Sequence, residues 1–425
     1  MKKLICVIII LIFCTSCNNT NPASHHTTLQ NSSPVPAVDY ISHKSHKPET
    51  ILKRPDSYSP LNYEEQKAIW ISYIDLQPML LDKTEEQFSQ NITSAYEKIK
   101  SLGCNTVYVH IRSFGDAYYN SALYPYSKNI TGEIGVKPDF DPLQIMIEKA
   151  HNLGLSFHGW INPMRCETEE NMKKIGDNFT LKEWYNNPEK YIEYLVKPEN
   201  DSHYWLNPAV EEVCRLISEG VKEIVENYDV DGIHIDDYFY PTTDTYFDSA
   251  TYKEADTAES LEKWRTDNVS KMVEAMYNAV KSVNNLVLFG VSPQGNIENN
   301  YDYMYADVKK WCSEKGYLDY IVPQIYFGMD NTARPFVETA KEWSCIVTEQ
   351  SISLVIGLGA YKINEEDEFI NTTGIIGEQI DVSKQLTNYN GFALYNYINL
   401  FEPEKNQARR ANAELEYIKK AINKD

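Results

Sequence analysis

Two adjacent carboxylates, Asp236 and Asp237, end the stretch Gly232-Ile-His-Ile-Asp236-Asp237-Tyr238. In an extended strand, alternate residues face opposite sides. Gly232, His234, Asp236 and Tyr238 therefore share one face and Ile233 and Ile235 the other. Asp237 faces away in an ideal strand and reaches the same side only if the backbone turns at the strand's end. Two close acids repel, which raises the affinity of one for a proton. A proton donor beside a second acid is what cleavage of a glycosidic bond requires. Asp116, in Arg112-Ser-Phe-Gly-Asp116, is a third candidate acid, or an Arg-paired loop residue. Asp75 and Glu298 are weaker candidates.

The same alternation elsewhere yields Tyr108, His110 and Arg112, then Ser156, His158, Trp160 and Asn162, and later Gln324 and Tyr326. Tyr395-Asn396-Tyr397 closes the series. Arg112 suits a carboxylate, on the protein or on a substrate. His110, His158 and His234 fall at similar heights on successive strands. HxH and HExxH spacings are absent, so hydrogen bonding is expected of them rather than metal ligation, and no cofactor is expected. Aromatics crowd the same segments: Tyr118, Tyr119, Tyr124, Tyr126, Trp205, Phe239, Tyr240 and Phe327 join those already named. As a set they suit stacking on sugar rings.

These side chains need a common platform. From about residue 66 onward, short apolar stretches alternate with amphipathic ones. Strands are expected at 68–73, 105–113, 155–162, 231–238, 286–292, 320–326, 352–358 and 391–397. Helices are expected at 84–102, 141–153, 209–228, 260–283, 302–315, 334–345, 375–386 and 403–423. Eight strand–helix units in one run predict an α/β fold of the (β/α)8 TIM-barrel type, in one domain over 63–425, with long loops after strands 2, 3 and 4. A doubly wound open sheet would need a Gly-rich phosphate loop after the first strand, and none is present.

The chain has 425 residues and a formal net charge of −21, which argues against nucleic acid or anionic lipid as partner. Met1-Lys-Lys, an apolar run over 4–13 and Cys14-Thr-Ser-Cys17 resemble a bacterial lipoprotein signal, with Cys17 lipidated. A signal over 1–16, an anchor and tether over 17–62, and a place in the cell envelope are expected. Cys104, Cys166, Cys214, Cys312 and Cys345 are too scattered for a disulfide framework and are expected to be small buried apolar residues.

The motifs AIWISYID, VYVHIRSFGDAYYNSALYPYS, FHGWINPMR, WLNPAVEEV, YDVDGIHIDDYFYP, VSPQGN, VPQIYFG and GFALYNY resemble the glycosyl-hydrolase-like family 10 lipoproteins. The resemblance implies a barrel glycosidase of the bacterial envelope acting on peptidoglycan or a related N-acetylhexosamine glycan, with acids at Asp236, Asp237 and Asp116. A more distant resemblance is to family 18 chitinases, whose strand 4 reads Asp-Gly-x-Asp-x-Asp-x-Glu. Here Asp231-Gly and Asp236 match, but His234 and Tyr238 replace the second Asp and the Glu. The proton donor must then come from Asp237 or another loop. Asp236 is left free to orient a substrate acetamide. A non-catalytic glycan-binding lipoprotein and a metal-dependent hydrolase are the competing readings.

Overall fold

The structure is a computed structural model and describes residues 58–424. The expected signal, Cys17 and most of the expected tether lie outside the described residues. Eight parallel strands close into a barrel, as the alternation predicts. In chain order the strands are β1 (Gln66–Ile71), β2 (Thr106–Arg112), β3 (Ser156–Ile161), β4 (Arg165–Thr168), β5 (Leu195–Val196), β6 (His203–Leu206), β7 (Gly232–Ile235), β8 (Leu288–Val291), β9 (Tyr320–Ile321), β10 (Ser353–Leu358) and β11 (Tyr389–Leu394). The barrel runs β1-β11-β10-β9-β8-β7-β3-β2. The remaining three strands form a separate antiparallel sheet, β4-β6-β5, inside the excursion after β3.

The helices form where sequence supplies both an apolar face and a start signal. Glu85–Leu102 opens on Thr84, which forms a capping box with Gln87, and stops at Gly103 in the left-handed region. Its Phe88, Ile92, Tyr96 and Ile99 recur at helical spacing and are buried. Glu211–Asn227 buries Val213, Ile217, Val221 and Ile224 in the same way. The outer faces of the strands meet these helices: Val107, Val109, Ile111, Ile233 and Ile235 are fully buried in one continuous core.

The inside of the barrel is a different medium. Ala68, Trp70, Tyr108, Trp160, Tyr320, Val322, Val355 and Ala393 form a second cluster there. Two glycines make room for it. A Cβ on Gly290 would lie 2.0 Å from the Tyr320 ring, and one on Gly232 would lie 2.4 Å from His158 Nδ1. Both strands therefore carry glycine where a large side chain crosses the barrel axis.

At the N-terminal pole of the strands, Asp231 draws the incoming chain onto the barrel. It accepts hydrogen bonds from the Tyr58 hydroxyl and the Leu61 amide, each at 2.5 Å, and from Phe157 N at 2.7 Å. Among the described residues, no helix is long and apolar enough to cross a membrane. Among the described residues the five cysteines are free, and Cys104, Cys166 and Cys312 are buried as expected. Cys345 is exposed and Cys214 half-buried, because both sit on the outer turns of helices.

Candidate active site

At the C-terminal pole of the barrel lies a cavity of about 620 Å³. Its floor is the end of β7. The strand stops at Ile235, and the Phe239 amide closes back on the Asp237 carbonyl at 2.9 Å. This turn breaks the alternation, so Asp236 and Asp237 both line the cavity. Asp236 is buried. Its Oδ2 accepts a hydrogen bond from Trp160 Nε1 at 2.9 Å, and its Oδ1 has no protein partner. Burial, with Asp237 beside it, pushes the Asp236 carboxyl up to about 8, against the opposing pull of Arg165 and of the Trp160 N–H. Asp237 is more open. Its Oδ1 accepts from Gln324 Nε2 at 3.1 Å, and Gln294 donates to it as well. Burial raises the Asp237 carboxyl too, and the two amides oppose that rise.

Trp160 is itself held in place. The His110 ring stacks on it at 3.5 Å, and the Asn162 amide lies 2.8 Å from His110 Nε2. His110 Nδ1 accepts from the Tyr73 amide at 3.3 Å. Burial and the nearby Arg165 charge keep His110 well below the usual imidazole range, so it is neutral. Asn162, His110, Trp160 and Asp236 thus form one chain of contacts, in which the first three set the position of the fourth.

His158 and His234 lie deeper, and neither lines the cavity. Strand register pairs His110 with Trp160 and Trp160 with His234. His158 pairs with Gly232, a layer below. The expected equal heights do not hold for it. Trp70 Nε1 donates to His234 Nε2 at 3.0 Å; an indole nitrogen can only donate. His234 Nδ1 then carries the hydrogen that faces the Tyr320 hydroxyl, at 3.1 Å. That hydroxyl is left to donate to His158 Nδ1 at 2.7 Å, and His158 Nε2 reaches Ser156 at 3.1 Å. Burial lowers His158 to about 4 and His234 well below the usual range. These two histidines fill the barrel as neutral hydrogen-bonding groups.

Arg112 is not in the cavity. The β2–β3 register shifts between His110 and Arg112, so Arg112 pairs with outward-facing Ile161. Its guanidinium stacks 4.4 Å over Tyr124, against the helix Glu211–Asn227 at Gly220. Asp116 is also absent from the lining. It is fully buried, and its Oδ1 accepts from the Ser113 and Phe114 amides at 2.8 and 2.9 Å. It shapes the turn after β2. Asn396 holds the Asp75 carboxylate, with Nδ2 at 3.1 and 3.2 Å from the two oxygens, and Asp75 caps the helix Tyr73–Leu80. Glu298 pairs with Arg334 near the surface.

The aromatic expectation divides in the same way. Trp205, Tyr238, Phe239, Tyr240, Tyr326 and Tyr395 line the cavity with Trp160. Tyr118, Tyr119 and Tyr124 are buried in the core of the β2 loop, and Tyr126, Phe327 and Tyr397 stand outside the lining.

The antiparallel sheet contributes residues that alternation did not single out. Arg165 on β4 pairs with Trp205 on β6. Trp205 stacks on Tyr238 at 5.9 Å and donates its Nε1 hydrogen to Asp201 at 2.8 Å. Trp205 was among the expected aromatics, whereas Arg165 was not singled out, nor were Trp70, Tyr73, Asp201, Gln294 and Tyr361, which also line the cavity. Arg165 and Gln294 lie inside FHGWINPMR and VSPQGN, so the signal was present without a periodic reason to select them.

The glycosyl hydrolase-like 10 family matches residues 65–372. Glycosyl hydrolase YngK of Bacillus subtilis (strain 168) is 32% identical over 71% of this chain, which spans 61% of that protein. Glycosyl hydrolase DigH of Escherichia coli (strain K12) is 30% identical over 88% of this chain and 93% of its own length. Among solved structures, the PgaB (BpsB) glycoside hydrolase domain from Bordetella bronchiseptica superposes with a TM-score of 0.56 at 13% identity, covering 82% of this chain and 99% of that one. The catalytic domain of β-amylase from Paenibacillus polymyxa gives 0.54 at 14% identity, over 84% and 98%. At such identities the two structures speak for the barrel alone. The chain belongs to the glycosyl hydrolase-like 10 family and is a glycoside hydrolase built on an eight-stranded barrel.

Proposed function

We propose that this enzyme hydrolyses glycosidic bonds in peptidoglycan glycan strands or a related N-acetylhexosamine polymer, with Asp236 and Asp237 as its acid pair. The observation that carries the reading is the contrast between the two carboxyls. Asp236 is buried, with one oxygen fixed by Trp160 and the other unpartnered. Asp237 is more open and held by two amides. In this reading the pair shares one proton, held by the more deeply buried Asp236. Asp236, rather than the Asp237 or loop acid expected from the chitinase comparison, gives that proton to the leaving glycosidic oxygen as the anomeric C–O bond breaks. Ionised Asp237 faces the positive charge that develops on the ring. Water then adds to the anomeric carbon and returns a proton to Asp236. The amides of Gln294 and Gln324 suit an N-acetyl group, and the Trp205–Tyr238 stack suits a sugar face.

The test is release of new reducing ends from purified, peptide-free sacculus strands, with products identified by mass spectrometry. Wild type is expected to release them, and Asp236→Asn to lose the activity at unchanged fold. Binding of the strands without release by wild type would replace this reading with that of a glycan-binding module. We further propose export and lipidation at Cys17, placing the enzyme in the bacterial envelope with the membrane as a partner. Incorporation of labelled palmitate that is abolished in Cys17→Ala is the expected result.

A further inference from the structure

Arg165 is the only Lys or Arg among the residues lining the cavity, which also include Asp201, Asp236 and Asp237. It projects from the accessory sheet, with its guanidinium carbon 3.8 Å over the Tyr238 ring and 4.5 Å from that of Phe114. Its Nε is buried without a hydrogen-bond partner. Among the described residues it has no ion-pair partner, whereas Arg265 and Arg334 are both paired with carboxylates. A guanidinium is a planar fork of donors matched to a carboxylate. Here that fork is held by two rings and meets the Tyr238 hydroxyl, but it is not paired with a carboxylate of the protein. The whole chain carries −21, so an anionic polymer has no general electrostatic reason to enter the cavity. A single fixed cation at the acid pair then becomes the point at which an anionic sugar is told from a neutral one.

We propose that Arg165 is a specificity-determining residue that pairs with a carboxylate on the substrate, so that the subsite beside Asp236 takes a sugar bearing a lactyl-ether or equivalent acid group. This rests on the glycan-hydrolase reading above and narrows its substrate class. It also moves to Arg165 the substrate-acid role that the sequence offered to Arg112. Arg165 eases ionisation of both aspartates as well, so the test separates the two roles.

The probes are peptide-free glycan strands and the same strands after chemical reduction of their carboxylates to alcohols. Initial rates are compared as a ratio, intact over reduced. Wild type is expected to show a ratio of about 10 or more, the range of a charge-assisted pair. In Arg165→Gln the ratio is expected to fall to about 1, and Arg165→Lys should lie between, since an ammonium lacks the fork. An equal ratio in wild type and Arg165→Gln, with both rates falling together and a displaced pH profile, overturns the assignment in favour of tuning the aspartates. A wild-type ratio near 1 overturns it without any variant, so a misfolded Arg165→Gln does not spare it. Should wild type cleave neither probe, the proposed peptidoglycan-hydrolase reading fails by itself. Calorimetric binding of the two probes then decides on Arg165. Tighter binding of intact strands, lost in Arg165→Gln, supports the assignment, and no preference overturns it.

Discussion

Trp160 donates its indole hydrogen to Asp236 at 2.9 Å while His110 lies flat against the same indole at 3.5 Å. The carboxyl that carries the proton is thus set by an aromatic ring, and that ring by a neutral histidine. The interaction favours the ionised form of Asp236 and so works against burial.

The pH profile should report this balance. If activity needs the protonated Asp236, it declines as pH rises through about 8. Trp160→Phe removes a group that lowers this value, so the alkaline limb should move up, with kcat reduced roughly tenfold or more by loss of positioning. Asp237→Asn removes a group that raises it, so the limb should move down. Profiles of kcat/KM for the two variants displaced in the same direction would contradict the assignment.

Asp236 should also cost stability. Its carboxyl is raised in the folded state from 3.8 to about 8, so the folded chain holds a proton that the unfolded chain releases. Stability is then full below about pH 4 and lost as pH rises to about 8. Asp236→Asn should stabilise the fold little at pH 4 and clearly at pH 9, by roughly a few kcal/mol, read as a higher melting temperature at pH 9. An equal gain at both pH values would count against the burial argument.

Trp205 stands in the cavity wall rather than in the barrel. Trp205→Ala should raise KM for glycan strands about tenfold or more, with a smaller effect on kcat, because it removes a ring that a sugar can stack on. Quenching of intrinsic fluorescence by added glycan should weaken in the same variant. A kcat loss with KM unchanged would argue for a purely structural role.

Gly290→Ala tests the inside of the barrel. The new Cβ would sit 2.0 Å from the Tyr320 ring, which cannot retreat in a filled interior. Destabilisation of about 3 kcal/mol or more is expected in urea unfolding. Gly316→Ala, with nothing within 4 Å of its Cβ but a φ of +98°, should cost less, about 1 kcal/mol.

The barrel was legible because strands buried on one side by helices and filled on the other by large polar residues still alternate. Ile233 and Ile235 against His234 is such a case. The site was legible only in part. Asp236 and Asp237 come together at a turn that follows the last residue of β7, where alternation no longer applies. Arg112 was misplaced because a register shift of one residue reverses the side a side chain takes. β4, β5 and β6 have four, two and four residues, too few for a period to show, so Arg165 and Trp205 had no strand to be read on. His158 and His234 sit in the right direction but too deep. Each residue of strand adds about 3.3 Å, so two positions before the mouth already lie in the filled interior.

Asp231 and Asp236 flank β7, five residues apart, about 16 Å along the extended chain, and they do opposite jobs. Asp231 clasps the segment of Tyr58 and Leu61 at one pole, and Asp236 opens into the cavity at the other. The fold therefore has a handle and a business end. The chain joins the barrel at the handle, at the pole opposite the mouth. In an enzyme held by the chain ahead of Tyr58, the length of chain between support and barrel would set how far out it works.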